Sequence, residues 1–201
     1  MKDSYKTIVG RSEGTYSELR SKFLAFALPV RTAEEALAFV DKYQKEYYDA
    51  RHVCWAYRLG AEGDTYRSND NGEPSGTAGK PILGQIVSAD LSDVLVVVVR
   101  YFGGVKLGTS GLIVAYRTAA AAALAAAELT ERTVDATLSL AFTYEQLNTV
   151  MRVIKEFSPS VLSQEYEGNS VSMRVALRLS SVEPFIQRFK VNGKMLIDIS
   201  R

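Results

Sequence analysis

The sequence predicts an α+β protein of two domains, residues 1–132 and 133–201. Three observations carry that reading. In the first part strand and helix signals mix around one unbroken β-branched run, "VLVVVVRYF" at 94–102, and a strand apolar on both faces needs cover on both. After "ELTERT" at 128–133 the texture changes to strand, helix, hairpin, helix, strand, the βαββαβ order of a ferredoxin-like unit of roughly 70 residues. Finally, 201 residues with 47% hydrophobic content supply enough apolar chain for a core in each part.

The first clear element is "SKFLAFALPV" at 21–30, a β-favouring run that stops at Pro29. Thr32 and Glu35 then form a capping-box pattern ahead of a helix over 33–48, in which Ala36, Leu37, Phe39, Val40 and Tyr43 recur at helical spacing. "HVCWAYRLG" at 52–60 alternates Val53, Trp55, Tyr57 and Leu59 with His52, Cys54, Ala56 and Arg58, the period of a strand, and Gly60 and Gly63 close it. A short "TYR" at 65–67 precedes the Gly- and Pro-rich stretch "NDNGEPSGTAGKP" at 69–81. Pro81 suits the first turn of a helix over 81–89, with Ile82, Leu83, Ile86 and Val87 as its apolar side.

The 94–102 strand is predicted to be central. It runs into "GGVKLGTSG" at 103–111 and then an alanine-rich helix over 111–129, for which Thr109 or Ser110 is the expected N-cap. In the second part "VDATLSLAFTY" at 134–144 reads as a strand and "EQLNTVMRVIKEF" at 145–157 as a helix. A hairpin over 159–179 is closed by Gly168-Asn169, "VEPFIQRFK" at 182–190 is a second helix, and "KMLIDIS" at 194–200 is the last strand.

Charge excludes one class of partner logic. Lys plus Arg total 24 against 23 Asp plus Glu, a formal net charge of +1, so no whole-molecule field draws the chain onto nucleic acid or an acidic membrane. The two parts split as 16 basic minus 16 acidic and 8 minus 7, so neither is a basic arm, and an anion site has to be local. A single cysteine, Cys54, excludes an internal disulfide framework and argues against a cysteine-rich zinc centre. The opening residues carry no signal-peptide run, and the alanine-rich stretch is too weakly hydrophobic and too interrupted by Arg117 to span a membrane. A cytoplasmic protein with no membrane contact is expected.

Two segments can carry chemistry. The 69–81 stretch contains Gly79-Lys80, but six residues separate Gly72 from Gly79 where a nucleotide loop has four, and Pro81 stands where Ser or Thr would hold magnesium. It reads either as a wide turn or as a binding loop presenting Asp70, Glu73, Thr77 and Lys80. "RYFGGVKLGTSGL" at 100–112 feeds a strand through a glycine turn into a helix start, a place where backbone N–H groups converge on an anion, with Arg100 and Lys106 adding charge around Gly103, Gly104 and Gly108. The alternative is a glycine turn needed only for strand–helix packing. His52, the one histidine, and Glu73 are the candidates for acid–base work. His52 shares a strand face with Cys54, but the pair falls short of the three or four ligands of a metal site, so no metal and no cofactor are expected.

Taken together, "HVCWA" at 52–56, "SNDNGEPSGTAGKPIL" at 68–83 and "VVVVRYFGGVKLGTSGLIVAY" at 96–116 resemble the IMPACT/YigZ family, three motifs in order over about half the chain. The resemblance implies an N-terminal domain with the β-α-β arrangement of a small-subunit ribosomal protein and of elongation factor G domain IV. It implies a ferredoxin-like second domain similar to that factor's last one. The family's eukaryotic members are translational regulators that bind the activator of a starvation-responsive initiation-factor kinase; for bacterial members the resemblance implies no reaction. The family pattern matches at His52, Cys54, Asp70, Gly72, Glu73, Pro74, Gly76, Thr77, Ala78, Gly79, Pro81, Arg100, Gly103, Gly104, Leu107, Gly108 and Gly111. It departs at Asn71, usually a second Asp, at Ser110, usually Gly, and at Val114, often basic.

The function expected from these residues is a non-enzymatic binding protein related to translational regulators. Its 69–81 and 100–111 loops would contact RNA, the ribosome or a translation-associated protein. The alternative is an enzyme or binding protein for a phosphorylated or nucleotide-like small molecule, with His52 or Glu73 as acid or base.

Overall fold

The computed structural model describes residues 3–191 and 194–200, and its contacts divide the chain into two units, Met1–Arg132 and Thr133–Arg201. Unit one runs β1 (Ser4–Ile8), β2 (Ser12–Glu18), β3 (Ser21–Pro29), α1 (Ala33–Glu46), β4 (His52–Leu59), β5 (Thr65–Asn69), α2 (Gly79–Ser88), β6 (Val94–Tyr101), α3 (Gly108–Ala125) and β7 (Leu129–Thr133). Five strands make an antiparallel sheet in the order β2-β3-β6-β4-β5, while β1 pairs with β7.

β6 lies at the centre of that sheet, and its unbroken apolar run follows from being covered twice. Val94, Val96 and Val98 face a core shared with α2 and α3, and Leu95, Val97 and Val99 face one shared with α1. Each such fully buried aliphatic side chain contributes about 1.5–3 kcal/mol relative to exposure. β4 alternates in the same way, Cys54 and Ala56 to the first core, Val53, Trp55, Tyr57 and Leu59 to the second. α1 is capped by Thr32, whose side chain accepts the Glu35 N–H; the Glu35 carboxylate reaches Arg31 N instead of the cap residue's own, so only half of the expected box forms.

Three strands had no period-2 apolar signal to reveal them: β1, β2 and β7. β2 is an edge strand of mostly polar residues that rests on α3 through Gly14 and Ser12. A Cβ added at Gly14 would lie 2.3 Å from Ala123 N, and Ser12 Oγ donates to the Ala123 carbonyl at 2.7 Å. The alanines of α3 are what permit that approach. Gly14→Ala is therefore expected to cost about 1–3 kcal/mol through forced separation of β2 from α3, read as a lower urea midpoint at unchanged m-value.

Unit two contains β8 (Asp135–Thr143), a 3₁₀ turn (Tyr144–Gln146), α4 (Leu147–Phe157), β9 (Ser160–Glu167), β10 (Ser170–Arg178), α5 (Leu179–Gln187), the short hairpin of β11 (Lys190–Val191) and β12 (Lys194–Met195), and β13 (Asp198–Ser200). Its antiparallel sheet is ordered β13-β8-β10-β9, and alternate residues Leu138, Leu140, Phe142, Val171, Met173, Val175 and Leu177 meet α4 and α5 in one core. The element order is βαββαβ. Two details differ from the sequence reading: α5 starts three residues earlier and carries Pro184 within it, and the predicted last strand is split, Lys194–Met195 pairing with Lys190–Val191 and Asp198–Ser200 with β8. Among the described residues no helix is long and apolar enough to cross a membrane.

Candidate functional site

β4, β6, the loop after β5 and the turn before α3 converge at one end of the five-stranded sheet, where His52 and Arg100 are register partners on neighbouring strands. A cavity of about 480 Å³ opens there, lined by residues of the β4 start (Arg51, His52), the loop (Glu73, Pro74), β6 and its exit (Arg100, Phe102) and the start of α3 (Lys106, Leu107, Gly108, Thr109, Leu112).

The loop holds its shape around one carboxylate. Asp70 Oδ2 accepts the Gly76 N–H at 2.8 Å, and Oδ1 accepts those of Ala78 at 3.0 Å and Gly79 at 2.8 Å. Burial alone would raise the Asp70 carboxyl. The three N–H donors, with Lys80 nearby, outweigh that and hold it below the ordinary carboxylate range. Thr77 is buried and its hydroxyl donates to the Pro74 carbonyl at 2.6 Å, closing a turn that the Thr77 N–H also bonds, at 3.1 Å. Asp70, Thr77 and Lys80 lie outside the cavity lining. What the loop delivers to the cavity is Glu73.

Glu73 is 9% exposed and receives two donors on one oxygen: Arg100 Nη1 at 2.5 Å and the Tyr116 hydroxyl at 2.8 Å. Burial first, then the neighbouring Cys54 and Glu73, push the Tyr116 hydroxyl above its ordinary range, so it stays protonated and donates. Burial likewise pushes the Cys54 thiol up, an effect that the Tyr116 hydroxyl only partly offsets. The thiol donates to the Asp70 carbonyl at 2.9 Å and lies 3.3 Å from the Tyr116 oxygen. A neutral, wholly buried thiol is a poor nucleophile and a poor metal ligand. No group of three or more His, Cys, Asp or Glu side chains able to hold a metal ion occurs among the described residues.

His52 Nδ1 is 2.8 Å from the Asn71 carbonyl oxygen, and Nε2 is 3.9 Å from Glu73 Oε1. Gly103 serves packing: a Cβ there would fall 2.1 Å from the Arg20 carbonyl carbon, and its N–H donates to Ser21 Oγ at 3.2 Å. Gly104 and Gly108 have φ of +88° and +73°, and only Gly108 of these three glycines lines the cavity. α3 begins at Gly108 rather than near Gly111, because the chain turns helical as soon as that glycine has been passed. Leu107 holds the cap position without a side-chain hydrogen bond, and Thr109 and Ser110, the expected caps, sit inside the first turn.

With that geometry the chain can be compared with known proteins. A family model described as the Impact N-terminal domain matches residues 19–124. The chain belongs to the IMPACT family. An IMPACT family member from Haemophilus influenzae is 34% identical over 185 residues, 90% of this chain and 89% of that one. The IMPACT family member YigZ of Escherichia coli is 34% identical over 168 residues, 83% and 82% of the two chains. A crystal structure of a hypothetical protein superposes with a TM-score of 0.74 at 29% identity, covering 99% of this chain and 97% of the other.

The three departures from the IMPACT pattern fall where they change little of the cavity's floor. Asn71 meets His52 through its backbone carbonyl, which any residue supplies. Ser110 and Val114 line a separate shallow groove with Tyr16 and Leu19. Sequence reasoning missed Tyr116 and Arg51. Tyr116 sits among apolar and alanine residues as a core position would, and its only signal is being the one polar-tipped aromatic in α3. Arg51 precedes its strand and has no motif at all.

Proposed function

We propose that this chain is a cytoplasmic binding protein related to translational regulators, and that it contacts RNA through the cavity between the 69–81 loop and the 100–111 turn. The observation that carries this reading is the cavity's charge. Arg51, Arg100 and Lys106 face a single carboxylate, Glu73, so three positive charges against one negative leave a local +2 on a chain that is nearly neutral as a whole. The helix α3 adds the partial positive charge of its N-terminus. Phe102 is 43% exposed at the rim, with the Arg100 guanidinium 5.6 Å from its ring, a platform on which a base can stack.

Binding fits better than turnover for Glu73, whose Oε1 is already held by Arg100 and Tyr116. Filter binding of single-stranded RNA across a salt series tests the reading. Retention should fall steeply with salt, and Lys106→Ala should weaken it across all sequences while reducing the logarithmic salt slope by about 1. No retention at low salt would overturn it.

A further inference from the structure

Leu107 lines the cavity and also a second, shallow groove of about 300 Å³ between the tip of the β2–β3 hairpin and the first turns of α3. Tyr16, Leu19 and Val114 complete its apolar lining, and the last two are 52% and 49% exposed. Gly111, between Leu107 and Val114 in sequence, adds no side chain to fill it.

The tip of the hairpin is built against local preference. Glu18 and Ser21 are register partners, so Leu19 and Arg20 are its whole loop, and both have left-handed backbones, with φ of +43° and +65°. Two-residue loops of this kind favour Asn and Gly, and a leucine there is strained as well as half exposed. Neither turn geometry nor burial favours leucine at this position. A strained residue without local compensation points to a use outside the fold.

The rim of the groove is basic. Arg20 follows Leu19, Lys106 precedes Leu107, and Arg117 lies one turn beyond Val114 on α3; all three are exposed, and none forms an ion pair among the described residues. Against them stands Glu18, whose carboxylate accepts the Tyr16 hydroxyl at 2.7 Å. Three positive charges against one negative leave a local +2 on a chain whose net charge is +1. An aliphatic lining ringed by cations matches a protein segment whose leucine-type side chains are flanked by Asp or Glu. Nucleic acid fits less well: leucine and valine offer no ring for a base to stack on, and Glu18 repels phosphate. On the α3 side Gly111, Val114 and Arg117 form a row three residues apart, the kind of row into which a second helix packs.

We propose that this groove is a docking site for an acidic amphipathic helix of a partner protein. Its leucine-type side chains lie between Leu19 and Val114, and its carboxylates face Arg20, Lys106 and Arg117. The site goes beyond the RNA reading, since Tyr16, Leu19, Arg20, Val114 and Arg117 lie outside the lining of the cavity.

Fluorescence anisotropy, titrating the whole chain into labelled synthetic helical peptides, tests it. One peptide has leucines at i, i+4 and i+7 with glutamates between them, a second has lysines in place of the glutamates, and a third has serines in place of the leucines. The first is expected to bind saturably and the other two about tenfold more weakly or worse. Val114→Asp, at an exposed position, should weaken the first peptide about tenfold with the urea midpoint near that of the wild type. Leu19→Asn should raise the urea midpoint, because asparagine tolerates the left-handed backbone, and yet weaken the peptide; a purely structural role for Leu19 would move only the midpoint. The proposal is overturned if the glutamate peptide fails to bind, if either control peptide binds as tightly, or if the two substitutions leave its affinity unchanged. It is equally overturned if they weaken retention of single-stranded RNA and not peptide binding, which would give the groove to nucleic acid. Peptide binding without RNA retention keeps this site and removes the RNA reading.

Discussion

Arg100→Ala is expected to destabilise the protein by about 3–5 kcal/mol, because it strands a buried carboxylate. Arg100 and Glu73 are 5% and 9% exposed, and of the two hydrogen bonds that Glu73 accepts, the 2.5 Å one from Arg100 is the one whose donor is a cation. Without Arg100 the carboxylate keeps the Tyr116 hydroxyl, with His52 Nε2 3.9 Å away. The guanidinium also packs with its carbon 5.6 Å from each of the Phe23 and Phe102 ring centres, so truncation removes apolar cover as well as charge. Glu73→Gln alone should cost less, since the amide oxygen still accepts. Combining Glu73→Gln with Arg100→Met should recover much of the Arg100→Ala loss, since neither an unpaired charge nor a large void remains. Urea denaturation of the wild type and the three variants decides it. A loss below about 1 kcal/mol for Arg100→Ala would mean that Glu73 is not held as an ion pair inside the fold.

Such a pair marks the boundary of what the sequence makes legible. Elements whose identity depends on their own residues could be read directly: the doubly covered β6, the alternation of β4, the Thr32 cap and the βαββαβ order of unit two. Strands that depend on a neighbour could not. β2 has glycine where it meets α3 and polar residues on its outer side, so its pattern exists only once α3 lies beneath it. The site divides the same way. Asp70 and Glu73 are three residues apart in one glycine-rich loop and look equivalent as binding carboxylates. Yet Asp70 is satisfied within nine residues, by Gly76, Ala78 and Gly79, and Glu73 by partners 27 and 43 residues away. Local loop chemistry accounts for Asp70 but not for Glu73, whose partners are set by where the cores place β6 and α3. Tyr116 was invisible for that reason.

Replacing Asp70 separates the loop's scaffold from its cargo. Asp70→Ala removes the acceptor of three backbone N–H groups at 2.8–3.0 Å and leaves those of the buried Ala78 and Gly79 without it, so a loss of about 2–4 kcal/mol is expected at neutral pH. Asp70→Asn, keeping one carbonyl oxygen but presenting an amide to the other donors, should fall between. The pH dependence has a defined sign. Because the folded carboxyl is held below its ordinary value, its contribution is complete above the unfolded pKa, about 3.9, and is lost as pH falls through the lower folded value. The gap in stability between the wild type and Asp70→Asn should therefore be widest near neutrality and narrow below about pH 4, since only the wild type has this proton to take up. Urea midpoints of both proteins at a series of pH values measure it. A gap that stays constant into acid would show that the carboxylate charge contributes nothing to the loop. A gap that closes would show that the charge on Asp70 holds in place the turn from which Glu73 reaches Arg100.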